Sequence, residues 1–244
     1  MYNTELVMKT QPENRSQFIH VAIDGPVAAG KSTIAKALAF KLGFLYVDTG
    51  AMYRSATIIA IDNGLDLSDE AGITAAVERA HLSMYDRVNL ETGKIMTIVE
   101  LNGQDISERI RDREVDLKVP VVSSLPHVRE VLVKKQQEIA RDKNVIMEGR
   151  AIASVVLPQA QLKIFLTAEI QERGERRLEQ YRLRGDKTIT IEEVTAELQA
   201  RDEYDSNRAT DPLQMAADAW LIDTTRISFD EVVEKIAERI SEIK

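Results

Sequence analysis

The chain has 244 residues, of which 44% are hydrophobic and 30% are charged, and its formal net charge is −8. This length and apolar content suit one domain with a full core, or one domain that carries an insertion. The chain contains no cysteine, which excludes a disulfide framework and a cysteine-based zinc site. The acidic charge balance argues against non-specific nucleic-acid binding, so we expect no nucleic-acid partner.

Neither a signal peptide nor a membrane span is indicated. The first segment, 1–17, is polar and lacks the apolar run of a signal peptide. No stretch approaches the roughly 18 consecutive apolar residues that a membrane span needs. We therefore expect a cytoplasmic protein with no membrane partner and with a flexible N-terminal arm over 1–17.

Short apolar runs alternate with longer charged stretches along most of the chain. The run that ends at Asp24 precedes a glycine-rich loop, and STIAKALAFKL then places apolar residues at helical spacing. Such alternation predicts an α/β fold, with a parallel sheet covered by helices on both faces. The tail, 227–240, predicts a further helix packed on the sheet. The five predicted strands are 18–24, 44–48, 144–149, 162–168 and 219–225.

Residues 76–115 break this alternation. HLSMYDRVNL, the turn-like ETGK and IMTIVELNGQDI follow one another, a pattern typical of antiparallel strands joined by a glycine-containing turn. We predict a small inserted α+β domain over 76–115, within a core that is built from 18–75 and 116–244.

The segment AIDGPVAAGKST fits the pattern G-x-x-x-x-G-K-[ST] between a predicted strand and a predicted helix. In such a loop, backbone N–H groups and the helix N-terminus face phosphates, which predicts a P-loop NTPase fold. Lys31 is expected to reach the β- and γ-phosphates, and the Ser32 hydroxyl to ligate Mg²⁺. Because no NKxD or LSGGQ-like segment occurs, a GTPase and a transporter ATPase are disfavoured. The predicted ATP-binding residues are Gly25, Pro26, Val27, Ala28, Ala29, Gly30, Lys31, Ser32 and Thr33.

Arginines and carboxylates follow the predicted strands. Asp48, Thr49 and Arg54 come after the second strand, and Arg150 comes directly after the third. Ligands of open α/β sheets bind beyond the carboxyl ends of the strands, so these residues should face the glycine loop. Further on, RDEYDSNRATDPL spaces three charged residues four and three apart, which places them on one face of a helix. These three residues are Arg201, Asp205 and Arg208.

Six segments in this order resemble the bacterial cytidylate kinase family: IDGPVAAGKST, VDTGAMYR, PHVREVL, MEGR…VVLP, LKIFLTA and RDEYDSNRATDPL. The similarity runs from about residue 18 to residue 244. It implies transfer of the γ-phosphoryl group of ATP to CMP or dCMP with Mg²⁺, and it implies that the insertion is a nucleoside-monophosphate-binding domain. Small-molecule substrates are the partners it implies, and we expect a monomer.

The resemblance also implies roles for individual residues. Thr49 matches a hydroxyl near the acceptor, and Arg201 and Asp205 match residues that contact the acceptor sugar. The segment 172–187 matches a short lid over ATP. The arginines expected to hold the acceptor phosphate are Arg54, Arg129, Arg150 and Arg208. The full acceptor set is Asp48, Thr49, Arg54, Arg111, Arg129, Arg150, Arg201, Asp205 and Arg208, and the catalytic set is Lys31, Arg150, Arg176, Arg177 and Arg208.

The chain departs from the family pattern on the acceptor side. The family reads G-R-D-x-G-T-V-V after the third strand, whereas GRAIASVV places Ala151 at the aspartate and Ala153 at the glycine. Pro120 replaces a serine that helps to read the base, and proline lacks both the hydroxyl and the N–H. Glu148 replaces an aspartate.

Three hypotheses remain open. The chain is a cytidylate kinase with weakened or altered acceptor selection, a kinase for another small acceptor, or a degenerate kinase that binds nucleotide for regulation. The retained arginines favour the first hypothesis, because a guanidinium is well suited to hold a phosphate.

Overall fold

The computed structural model describes residues 18–88 and 95–243, so the predicted N-terminal arm and the predicted ETGK turn lie outside the described residues. The strands are β1 (His20–Asp24), β2 (Leu45–Asp48), β3 (Leu82–Val88), β4 (Ile95–Leu101), β5 (Gln104–Asp105), β6 (Val145–Gly149), β7 (Leu162–Thr167) and β8 (Trp220–Asp223). The helices are α1 (Lys31–Leu42), α2 (Thr49–Asp62), α3 (Glu70–Arg79), α4 (Arg113–Ser124), α5 (Pro126–Ala140), α6 (Ile170–Leu183), α7 (Ile191–Asn207) and α8 (Phe229–Ile243). A 3₁₀ turn spans Arg109–Arg111 and a π-helical turn spans Ile152–Val156. None of the described helices is long and apolar enough to span a bilayer.

Five strands form one parallel sheet in the order β2-β6-β1-β7-β8. Its register pairs Asp24 at the end of β1 with Gly149 at the end of β6, and Asp48 at the end of β2 with Glu148. The loops after these three strands therefore meet at one edge of the sheet. The predicted five-stranded parallel sheet is confirmed, and each predicted strand end agrees with the structure to within two residues.

Helices cover both faces of the sheet. Successive strand residues point to opposite faces, so each face carries apolar side chains that a helix buries. Val21 and Ile23 of β1 pack in one cluster with α1 and α8, whereas Ala22 between them packs with Ala140 of α5. The predicted C-terminal helix is confirmed as α8. Its buried apolar positions include Val232, Val233, Ile236 and Ile240.

A second sheet, β3-β4-β5, is antiparallel and has three strands. β4 and β5 are joined at Asn102 and Gly103, whose φ angles are 52° and 81°, a conformation that glycine and asparagine tolerate best. Val99 of β4 packs in the same core cluster as Ile73 of α3. The predicted start of the insertion, residue 76, falls inside α3.

α6 and α7 pack against each other beside the sheet through buried apolar side chains, among them Leu178 and Val194. α7 begins with a capping box, in which the Thr190 side chain and the Glu193 side chain each accept a hydrogen bond from the other residue's backbone N–H. The segment predicted to act as a lid, 172–187, comprises most of α6 and the turn that follows it.

Candidate active site

The glycine loop connects β1 to α1 with a backbone that few residues other than glycine allow. Gly25 has a φ of 147°, and a Cβ at this position would lie 2.0 Å from the main-chain oxygen of Leu166. Ala28 and Gly30 have φ angles of 60° and 91°. Backbone N–H groups in such a turn form a concave site for an anion, and the N-terminus of α1 adds partial positive charge. The loop therefore has the geometry of a phosphate-binding site.

Lys31 is almost fully buried in this loop, and its Nζ donates a 2.7 Å hydrogen bond to the main-chain oxygen of Pro26. Burial, with the positive charge of Arg150, lowers the pKa of Lys31 to about 7, and Glu148 and Asp24 act in the opposite direction. Arg150 is thus close enough to act electrostatically on Lys31. The cation of the loop and the arginine after β6 belong to one site.

Glu148 is a site residue to which sequence analysis gave no role. It is buried in β6 and accepts a 2.8 Å hydrogen bond from the Tyr46 hydroxyl, and the nearby Ser32 hydroxyl acts to lower the pKa of its carboxyl. Burial and the neighbouring Asp48 raise the pKa of Glu148, whereas Lys31 opposes the rise. The sequence did offer one signal for Glu148, since an acidic residue near the carboxyl end of a strand beside the loop is a candidate site residue.

The described residues contain no group of three or more histidine, cysteine, aspartate or glutamate side chains that could hold a metal ion. Two oxygen-bearing groups do lie here, namely the Ser32 hydroxyl at the start of α1 and the buried Glu148 carboxyl of β6. Mg²⁺ prefers oxygen ligands and is commonly held by one or two protein groups together with substrate phosphates. The residues present therefore fit a magnesium ion that a nucleotide brings with it.

Asp24 fixes the segment that follows Arg150. Its two carboxylate oxygens each accept a 2.8 Å hydrogen bond, one from the N–H of Ile152 and one from the N–H of Ala153. Burial raises the pKa of Asp24, although both N–H groups, Lys31 and Arg150 lower it. Asp24 therefore ties β1 to the π-helical turn after β6, a contact that sequence analysis did not predict.

Asp205 brings three of the predicted acceptor arginines together. Its fully buried carboxylate pairs with the Nε of Arg150 at 2.9 Å, the Nε of Arg201 at 3.1 Å and the Nη1 of Arg208 at 3.9 Å. Burial on its own raises the pKa of Asp205, but the three arginines outweigh it and hold that pKa below its ordinary value. The predicted shared face of Arg201, Asp205 and Arg208 is thus present at the end of α7.

Arg129 lies next to this cluster. Its Nε pairs with Asp211 at 2.7 Å, and its guanidinium lies 5.3 Å from the centre of the Tyr53 ring. Arg208 donates from Nε to the main-chain oxygen of Asp211 at 2.8 Å. Burial, followed by the charge of Arg129, lowers the pKa of Arg208 to about 10. Two buried arginines are therefore held close together, an arrangement that favours an anionic ligand.

The remaining predicted arginines lie around the lid segment. Arg54 and Arg177 both pair with Asp116. Arg176 instead pairs with Glu172 at 3.0 Å and donates to the main-chain oxygen of Thr224 at 2.9 Å. Arg176 and Arg177, both predicted to be catalytic, therefore contact different neighbours in the structure.

Arg111 and Asp48 occupy the edges of this region. The main-chain oxygen of Arg111 accepts a 3.5 Å hydrogen bond from Arg184, and the positive charges of Arg111 and Arg177 contribute to lowering the pKa of Arg184, after burial. Asp48 precedes α2, and its side chain accepts a 2.9 Å hydrogen bond from the N–H of Ala51 in the first turn of that helix. In the structure, Asp48 therefore acts as a helix cap.

Arg173 is a second residue that sequence analysis missed. It is buried in α6, and its Nη1 donates both to the main-chain oxygen of Val27 in the glycine loop, at 3.2 Å, and to Asp202 of α7, at 2.6 Å. Arg173 therefore links the glycine loop, α6 and α7. Its position in an arginine-rich helix gave no signal that separated it from its neighbours.

The residues that depart from the family pattern lie at this site. Ala151 is buried beside Arg150 and precedes the π-helical turn. Pro120 lies inside α4, and with the exposed Leu117 it lines a cavity of about 270 Å³. Arg54, Arg201 and Tyr204 line the same cavity. Pro120 therefore presents an apolar ring to this cavity at the position where the family has a serine hydroxyl.

A five-stranded parallel sheet with a phosphate-binding loop after its central strand defines the fold of a P-loop NTPase. A solved structure of an uncharacterized protein from Eubacterium ventriosum shares this fold at a TM-score of 0.51 and 10% identity, covering 91% of this chain and 98% of that one.

Sequence comparison gives the family. The family profile described as cytidylate kinase matches residues 21–242. A cytidylate kinase of Caldanaerobacter subterraneus is 46% identical over 222 residues, which cover 91% of this chain and 94% of that protein. A cytidylate kinase of Leuconostoc mesenteroides is 47% identical over 217 residues, covering 89% and 94%. The chain belongs to the cytidylate kinase family, which confirms the resemblance seen in its motifs.

Proposed function

We propose that this protein transfers the γ-phosphoryl group of ATP to CMP or dCMP, giving ADP and CDP or dCDP. The observation that carries the proposal is the grouping of Arg150, Arg201 and Arg208 around one buried carboxylate beside the loop lysine. Two reacting phosphates require concentrated, preorganised positive charge at such a point. Membership of the cytidylate kinase family supports a cytidine nucleotide as the acceptor.

On the donor side, the backbone N–H groups of the loop 25–33 bind the phosphates of ATP, and Lys31 neutralises their charge. Ser32, with Glu148 in reach, holds Mg²⁺ together with those phosphates. When bound, the ion neutralises charge on the β- and γ-phosphate oxygens. Tyr46 fixes the Glu148 carboxyl by its hydrogen bond.

On the acceptor side, Arg54, Arg129, Arg150 and Arg208 hold the phosphate of the monophosphate. Oδ1 of Asp205 is buried without a hydrogen-bond partner among the described residues, which suits it to accept a hydrogen bond from a sugar hydroxyl. An oxygen of the acceptor phosphate attacks the γ-phosphorus while the bond to ADP breaks. No general base is needed, because the attacking oxygen already carries negative charge.

We further propose that 76–115 binds the monophosphate and that 172–187 closes over ATP as a lid, bringing Arg176 and Arg177 to the transferring group. Closure excludes water, which protects ATP from hydrolysis. The protein is proposed to work in the cytoplasm, as a monomer, on these small molecules. Its elution volume in size-exclusion chromatography, with and without substrates, tests the monomer.

A different small acceptor is the second candidate. Ala151 and Pro120 favour it, because both replace polar residues of the family on the acceptor side. A regulatory nucleotide-binding protein is the third hypothesis. The arginines retained around Asp205 support a kinase over it.

The test is coupled ADP release with a panel of CMP, dCMP, UMP, AMP and dTMP, with Lys31→Ala as the inactive control. Turnover with CMP and dCMP is expected. Turnover that favours another monophosphate would establish the second candidate. Thermal stabilisation by ATP without turnover on any acceptor would establish the third.

A further inference from the structure

We propose that Asp116 is a positioning residue in the active site. It fixes the guanidinium group of Arg54, on the acceptor side, relative to that of Arg177, in the lid segment. This inference rests on the proposed function. It concerns how two arginines from different parts of the chain reach a common transferring phosphoryl group.

The contacts of Asp116 span three helices. Its Oδ1 accepts a hydrogen bond from Nη1 of Arg54 on α2, and its Oδ2 accepts one from Nη2 of Arg177 on α6 at 2.6 Å. Asp116 itself lies on α4. One carboxylate therefore uses one oxygen for each arginine, and it joins the acceptor side of the site to the lid segment.

The bridge is shielded from water, which strengthens it. Only 11% of the Asp116 side chain and 13% of the Arg177 side chain are exposed. Burial on its own lowers the pKa of Arg177, but Asp116 and Tyr181 outweigh it and raise that pKa above its ordinary value. The Arg177 guanidinium also lies 4.5 Å from the centre of the Tyr181 ring, which fixes its plane.

Both arginines keep donors for phosphate while they contact Asp116. Nη1 of Arg54 donates to Asp116 and to the main-chain oxygen of Ile110, and its Nε and Nη2 have no partner among the described residues. The Nε of Arg177 likewise has none within 18–88 and 95–243. A guanidinium has five N–H donors, so it can hold Asp116 and a phosphate oxygen at once. Asp116 is therefore compatible with bound phosphate and need not be displaced.

The experiment compares Asp116→Asn with wild type in steady-state assays that vary ATP and CMP separately. Asparagine keeps the size of the side chain and removes its charge. We expect kcat to fall about tenfold, the scale of one lost charge-assisted hydrogen bond, through Arg177. We also expect KM for CMP to rise several-fold through Arg54, and KM for ATP to stay within about twofold.

A double-mutant cycle separates positioning from a structural role. If Asp116 acts on kcat through Arg177, Asp116→Asn should add less than about a twofold loss in kcat when placed on Arg177→Ala. A merely structural role would lower the thermal unfolding midpoint and leave the kinetic constants of the folded protein unchanged. Asp62→Asn, which breaks the exposed pair with Arg109, is the matched control and should leave activity unchanged.

If the wild type turns over CMP and the kinetic constants of Asp116→Asn are within twofold of it, the inference about Asp116 is overturned and the proposed function stands. The inference is also overturned if Asp116→Asn and Arg177→Ala lower kcat independently in the double-mutant cycle. A gain in activity in Asp116→Asn would overturn it too, because it would show that Asp116 competes with phosphate for the arginines. If Asp116→Asn does not fold, Asp116→Ser is assayed in its place with the same criteria. An inactive wild type across the acceptor panel would instead overturn the proposed function itself.

Discussion

The Nζ of Lys31 donates a 2.7 Å hydrogen bond to the main-chain oxygen of Pro26, five residues earlier in the same loop. This bond holds the lysine inside the ring of backbone N–H groups rather than in solvent. A phosphate oxygen carries more negative charge than a carbonyl oxygen and forms the stronger hydrogen bond to an ammonium group. The lysine is thus placed where a phosphate can take over its contact.

Lys31→Ala should nearly abolish turnover and leave the protein folded, because the charge serves the phosphates and not the core. We expect kcat to fall by more than tenfold, or more than about 1.4 kcal/mol of transition-state stabilisation. Lys41→Ala, on the exposed end of α1, is the matched control and should retain wild-type rates. A Lys31→Ala variant with more than a tenth of the wild-type kcat would refute the role.

The same lysine predicts a pH dependence of stability. Its pKa is about 7 in the fold and 10.5 ordinarily, so between pH 7 and 10.5 the unfolded chain binds the extra proton. The free energy of unfolding therefore rises as pH increases from 7 to 10.5. Below pH 7 the lysine is charged in both states, so the folded protein bears the full cost of burying that charge. Lys31→Met, which removes the charge, should raise the thermal unfolding midpoint most at pH 6.5. The gain should shrink steadily by pH 9, and a constant gain would contradict the prediction.

Gly25→Ala should disrupt the loop, because the new Cβ would lie 2.0 Å from the Leu166 main-chain oxygen. Gly43→Ala is the control, since Gly43 has a φ of 68° but a Cβ there would meet no atom within 4 Å. The control isolates the cost of positive φ, about 1–2 kcal/mol. We expect Gly25→Ala to lower the unfolding midpoint further than Gly43→Ala and to eliminate stabilisation by ATP. Equal shifts for the two variants would mean that the loop relaxes around the clash.

The parallel sheet and the glycine loop were predictable because their signals are local. Each strand is a short apolar run, and the loop motif specifies its own neighbours in sequence. The meeting of Arg150 with the charged residues at the end of α7 was predictable because strand ends and helical spacing determine where they lie.

The contacts of Asp116 and Glu148 were not predictable in the same way. Asp116 lies in the charged stretch RDREVDLK, where it resembles a solvated surface residue, and its partners are 62 and 61 residues away in the chain. The hydrogen bond of Glu148 to Tyr46 spans 102 residues. Contacts of this range depend on how strands and helices are arranged in space, which no local pattern encodes.

Arg150→Ala and Arg208→Ala should each reduce kcat/KM for the monophosphate far more than they raise KM for ATP. Both arginines pair with Asp205, in the region proposed to bind the acceptor. Lysine should substitute poorly, because an ammonium cannot bind two phosphate oxygens with the geometry of a guanidinium. Arg239→Ala, in an exposed pair on α8, is the control. Equal damage to both substrates would instead indicate that these arginines support the fold or the donor site.

Ala151→Asp tests the position where the chain departs most from its family. Ala151 is buried beside Arg150, whose Nε already pairs with Asp205. An aspartate there would supply a second acceptor that fixes the guanidinium, so less binding energy would go into ordering it. One charge-assisted hydrogen bond corresponds to about 10- to 150-fold in affinity. We expect the lower end, about tenfold in kcat/KM for CMP, because Asp205 orients Arg150 from one side.

The kinetic pattern decides the meaning of this substitution. Wild type should show a high KM for CMP, Ala151→Asp should lower it, and KM for ATP should not change. Ala153→Gly, which restores the neighbouring family residue without adding an acceptor, is the control and should leave KM for CMP unchanged. An unchanged or lower kcat/KM for CMP in Ala151→Asp would show that the acceptor site is not weakened. Asp205 alone would then suffice to orient Arg150, or the site would be shaped for a different monophosphate.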